Sequence, residues 1–156
     1  MEHYDAPSLT FLFDMELTVD QPYHLGVTPK GNRRIIQVND GYFRGSILNG
    51  TVIPGGDDWI TVLEDGTIIQ DVRILLKTYD GAYIAMTYRG IRTGTSDVLK
   101  RLDRNEEVNL NEYYFTTQPV FETSSKKYDW LNKRIFVAQG RRMPGKVNYS
   151  IYTVGE

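Results

Sequence analysis

Two Asp-Gly pairs, Asp65-Gly66 and Asp80-Gly81, stand between apolar or alternating runs from Asp58 to Gly90. Asp-Gly between such runs is a strong short-range hairpin signal. The segment is therefore expected to fold as a three-strand meander of Trp59 to Leu63, Thr67 to Thr78 and Tyr83 to Ile91. A two-residue Asp-Gly loop also sets strand pairing. Counting outward from Asp65-Gly66 puts Asp58 opposite Arg73, and counting from Asp80-Gly81 puts Arg73 opposite Tyr88 and Asp71 opposite Gly90. Directly opposed residues share a face. One face would then carry Asp58, Ile60, Val62, Ile69, Asp71, Arg73, Leu75, Met86 and Tyr88. The other would carry Trp59, Leu63, Val72, Ile74 and Arg89. Both are largely apolar, so neither suits open water, and a closed or double-layered sheet is implied.

The rest of the chain agrees. Leu9, Phe11, Phe13, Met15, Leu17 and Val19 are apolar at period two, the pattern of a strand with one buried face. Further strands are expected at Arg33 to Val38, Tyr113 to Glu122, Arg134 to Ala138 and Val147 to Val154. Gly41, Gly45, Gly50, Gly55 and Gly56 crowd one stretch, expected to form short, strongly curved strands. Ser96 to about Asn105 carries the one convincing helical signal, with Ser96 as cap and Val98, Leu99 and Leu102 as its apolar stripe. The connection from Arg92 to Asn111 reads equally as a lid or as a solvated excursion. The expectation is an all-β chain: one antiparallel β-barrel of about nine or ten strands with one short helix, a single domain over residues 1–156.

Composition narrows the chemistry. There is no cysteine, which excludes disulfides, zinc-thiolate sites and cysteine nucleophiles. His3 and His24 are the only histidines and lack metal-ligand spacing, so no metal is expected. No dinucleotide fingerprint, P-loop or nucleophile elbow occurs, and no cofactor is expected. A formal net charge of −2 argues against nucleic acid, despite the basic run Lys126, Lys127, Lys133, Arg134, Arg141, Arg142 and Lys146. Without a basic leader or a long apolar stretch, the expected setting is cytoplasmic, with no membrane partner.

The polar row on the first sheet face is the candidate site. Asp58 and Arg73 would have Cβ atoms about 4.5–5.5 Å apart, close enough for a charge-assisted pair. Asp71 lies on the same face, and one cation does not neutralise two buried carboxylates, so one of them is expected to hold its proton near neutral pH. The catalytic candidates are Asp58, Asp71, Arg73 and, at a strand end, Glu122. Trp59, Ile60, Met86, Tyr88 and Tyr114 are the candidate ligand-binding residues. The bland alternative is a surface ion-pair ladder tying three strands together.

Gly31-Asn32-Arg33, Gly41-x-x-x-Gly45, Pro54-Gly55-Gly56-Asp57-Asp58-Trp59, Asp65-Gly66, Asp71-x-Arg73, Asp80-Gly81, Phe121-Glu122-Thr123 and Tyr128-x-Trp130-Leu131-Asn132 form a recognisable series. Together they resemble the family called domain of unknown function 3237, from about Leu9 to Val154. The resemblance implies a β-barrel and supplies no activity. The function expected is a small-molecule-binding barrel, read as a cofactor-independent isomerase, cyclase or lyase acting on a carbonyl- or carboxylate-bearing ligand. A non-catalytic binding barrel and a structural homo-oligomeric protein remain open alternatives.

Overall fold

The computed structural model describes all 156 residues. Nine strands run in chain order: β1 (Leu9–Val19), β2 (Tyr23–Thr28), β3 (Gly31–Arg44), β4 (Asn49–Val62), β5 (Ile68–Thr78), β6 (Tyr83–Gly94), β7 (Tyr113–Glu122), β8 (Ile135–Met143) and β9 (Lys146–Val154). One helix, α1 (Ser96–Asp103), lies between β6 and β7. The sheet order is β1-β9-β8-β7-β6-β5-β4-β3-β2, and β1 also pairs with β3. That last pairing closes an antiparallel barrel of eight strands and leaves β2 as an extra strand on its rim. The expected all-β antiparallel barrel with one short helix is thus the observed fold. No helix is long and apolar enough to cross a membrane.

Several expected elements change shape. The glycine-rich stretch forms the end of β3 and the start of β4, two long bent strands rather than several short ones. Gly50 sits where a Cβ would come within 2.0 Å of the Lys77 carbonyl oxygen. Only a bare backbone fits there, so glycine permits the tight closure. The cap of α1 is Thr95, whose hydroxyl accepts from the Val98 N–H at 3.3 Å, one residue earlier than expected. Val98, Leu99 and Leu102 are buried, as the apolar stripe requires.

The interior is divided along the barrel axis. One end is plugged by rings: Phe121 meets Phe136 edge-on with centroids 4.8 Å apart, and Phe13 lies 5.3 Å from Phe43 and 6.0 Å from Phe121. Leu48, Leu76 and Ile84 are fully buried in the same core cluster. The other end holds a cavity, and α1 contributes Leu102 and Asp103 to its wall. Bulges bend the wall beside it. β3 and β4 shift register between Val38 and Gly41, and β4 and β5 between Ile53 and Asp57. Over the second shift, β4 runs from Val52 to Asp58 while β5 runs only from Leu76 to Val72. The two extra residues preserve the alternation, so Val52 and Asp58 both face inward.

Candidate functional site

Both Asp-Gly loops are one residue longer than a two-residue turn. The Leu63 N–H donates to the Thr67 carbonyl and the Gly66 N–H to the Leu63 carbonyl, so the first loop is Glu64-Asp65-Gly66. The second, Tyr79-Asp80-Gly81, has the same pair of bonds between Thr78, Ala82 and Gly81. Gly66 and Gly81 take positive φ of 89° and 95°, the left-handed residue that completes a three-residue loop.

Each loop slips the pairing by one, and both slips fall on β5. Arg73 stands opposite Asp57 and Thr87, whereas Asp58 stands opposite Val72, which in turn faces Tyr88. The expected row of Asp58, Arg73 and Tyr88 is therefore corrected. Asp58 and Tyr88 do share the inner face, but β5 is turned over between them. Asp71 and Arg73 lie on the exposed outer face, and Gln70, Val72, Ile74 and Leu76 point inward.

The other named residues divide the same way. Ile60 lines the cavity with Asp58 and Tyr88. Met86 is buried in the core. Trp59, 43% exposed, lies outside beneath the Arg33 guanidinium, 5.9 Å from its ring centroid. Tyr114 and Glu122 are exposed on the outer face of β7.

The cavity encloses about 280 Å3, near the lower bound of small-molecule sites. Its apolar wall includes Leu17, Val38, Ile60, Ile68, Val72 and Phe115. Asp58 is 7% exposed. Its Oδ1 accepts from the Asp71 backbone N–H and its Oδ2 from Gln70 Nε2, each at 3.2 Å. Burial pushes the Asp58 carboxyl up to about 7, and the two hydrogen bonds only partly oppose it. Asp71 thus touches the Asp58 carboxyl through its main-chain N–H, while its own carboxylate lies on the outer face.

Gln70 Nε2 also meets the Tyr149 hydroxyl at 3.3 Å, while Gln70 Oε1 is buried with no partner. The Tyr88 and Tyr149 rings pack edge-on at 5.1 Å. Burial raises the pKa of both phenols, which keeps them neutral. At the open end stand Arg34, Arg92 and Arg142 with Asp103.

Gln70, Tyr149 and these arginines are not among the site residues expected from sequence. A signal for Gln70 exists: along β5, Asp71, Arg73 and Lys77 share one face, marking it as outer and placing Gln70 inside.

A UPF0311 protein of Clostridium acetobutylicum is 36% identical over 144 residues, covering 92% of this chain and 91% of that protein. A protein of Penicillium herquei named hydroalkoxylation enzyme is 32% identical over 126 residues, covering 81% of this chain and 69% of its own. Among solved structures, a conserved protein of unknown function from Rhodopseudomonas palustris superposes with a TM-score of 0.92 at 28% identity, covering 97% of this chain and 99% of that one. An enzyme from Penicillium herquei superposes with a TM-score of 0.72 at 25% identity, covering 99% and 98%. The profile of the family described as Protein of unknown function (DUF3237) matches residues 7–154, and the chain belongs to that family.

Proposed function

We propose that this chain is an acid–base enzyme that adds a hydroxyl group across a carbon–carbon double bond of a small organic molecule, or runs the reverse elimination. The observation that carries this reading is the Asp58 carboxyl, buried in the cavity wall and raised to about 7. A catalytic acid works best when its pKa lies near the operating pH. The Penicillium herquei relative named hydroalkoxylation enzyme supports the reaction class.

The steps balance on one carboxyl group. Protonated Asp58 gives its proton to an alkene carbon, and the π pair becomes the new C–H bond. The substrate's own hydroxyl oxygen attacks the neighbouring cationic carbon, forming C–O. The proton on that oxygen returns to the Asp58 carboxylate. Within one molecule the reaction closes a ring; reversed, it is a lyase step.

Gln70 suits both states of the acid. Its NH2 group donates to the carboxylate, and with the amide turned over its carbonyl accepts from the carboxylic acid. The apolar wall excludes water, which would otherwise capture the cation.

A panel of alkenols incubated with the protein in D2O tests the reading. The expected result is deuterium on the protonated carbon, lost in Asp58→Asn. No incorporation from any panel member, or an undiminished rate in Asp58→Asn, overturns it. A barrel that only binds would take up panel members without exchange.

A further inference from the structure

At the cavity mouth the wall turns from apolar to cationic. Arg34 comes from β3, Arg92 from β6 and Arg142 from β8. They have one acidic partner among them, Asp103 at the end of α1. Its carboxylate is held by Arg34, with Nη1 at 3.2 Å from Oδ1 and Nη2 at 3.5 Å from Oδ2. Arg92 Nη2 reaches the same Oδ1 only at 3.9 Å. Arg142 Nη2 donates to Asn105 Oδ1 at 3.0 Å, and its Nη1 donates to the Met143 carbonyl. The remaining charged groups on the wall are Asp58 and Asp20, the latter accepting from Asn39 Nδ2.

Arg92 is the least satisfied of these groups. It is 9% exposed, its Nε is buried without a partner, and burial and the charge of Arg142 both lower its pKa. A buried cation is costly unless paired and hydrogen-bonded. Asp103 is a poor permanent partner: its side chain is 45% exposed and already taken by Arg34.

We propose that the mouth is a carboxylate subsite: the substrate is an apolar molecule bearing a carboxylate, which displaces Asp103 from Arg34 and completes the hydrogen bonding of Arg92. Guanidinium groups suit this task because their donors match a carboxylate's two oxygens. The apolar remainder would lie along Val72 and Phe115 toward Asp58. Asp103 holds the place of the substrate anion and ties α1 to the barrel until one arrives.

This inference rests on reading the cavity as a ligand site, but it is tested by binding rather than turnover. Benzoate, trans-cinnamate and 2-naphthoate are titrated against their neutral amides by calorimetry. At least one acid is expected to bind on the order of tenfold more tightly than its amide, the value of one charge-assisted contact. Arg92→Met should erase the preference, and Arg34→Met, at a more exposed position, should reduce it if Arg92→Met fails to fold. Asp103→Asn should tighten the acid and leave the amide unchanged. No acid preferred over its amide overturns the subsite, as does a preference unmoved by both arginine variants or an acid not tightened in Asp103→Asn. Asp58→Asn should keep the preference. If that variant also keeps turnover, the acid–base reading falls and the subsite stands.

Discussion

Gln70 on β5 reaches across to Asp58 on β4, and the two meet at 3.2 Å inside the barrel wall. The contact joins a group that changes charge to one that can serve either charge state. Without Gln70, a carboxyl desolvated this far would keep only the Asp71 N–H for its charged form and no partner for its O–H.

The stability of the fold should carry the signature of Asp58. Its pKa rises from 3.8 to about 7 on folding. Folding therefore takes up a proton between those values. The contribution is fully present below the unfolded pKa, falls as pH rises, and is lost once pH passes the folded pKa. Relative to wild type, Asp58→Asn should gain on the order of 4 kcal/mol between pH 4 and pH 8. Urea unfolding of both proteins across that range measures it; a constant difference would contradict the raised pKa.

Gln70→Leu should move the Asp58 titration further upward, by on the order of one pH unit, because the carboxylate loses a hydrogen bond. A carboxyl-labelled NMR titration reads this directly. Any panel turnover should keep its acid-dependent phase to correspondingly higher pH.

Arg73→Ala should leave stability within about 0.5 kcal/mol of wild type, since the side chain is exposed on the outer face. Ligand affinity and any turnover should also be unchanged. A large loss of either would mean that the β5 face assignment is wrong.

Gly50→Ala should destabilise the barrel by about 3 kcal/mol, because the new Cβ would press on the Lys77 carbonyl. Thermal unfolding measures it. The ring-filled end should suffer while the cavity end keeps its ligand preference, because Phe43 also lies in the way, 2.7 Å from the Cβ position.

The architecture was legible because alternation survives errors of detail. Phe13, Met15 and Leu17 are inward as their spacing requires, and two apolar faces implied closure. The site was less legible because Asp-Gly ends both two- and three-residue loops. The dipeptide alone does not say whether Glu64 and Tyr79 belong to the strand or to the loop. That single residue decides which half of β5 is inside. The charges at Asp71, Arg73 and Lys77 decide it independently, since three such side chains do not share a sealed interior. The mouth needed coordinates: Arg34, Arg92 and Arg142 come from three strands, and no local spacing brings them together.

The wall between β7 and β8 is built differently from its neighbours. Main-chain pairing there covers only Thr116 with Gln139 and Thr117 with Ala138. Side chains extend it: the Tyr113 hydroxyl accepts from the Arg142 N–H at 2.9 Å, and Gln139 Nε2 donates to the Phe115 carbonyl at 3.3 Å. A ladder of peptide groups is indifferent to which residues carry it, whereas this seam depends on two particular side chains. Point substitution can thus loosen or resize the barrel along this one stave, beside Arg142 at its mouth, while the more fully paired strands hold the rest of the hoop.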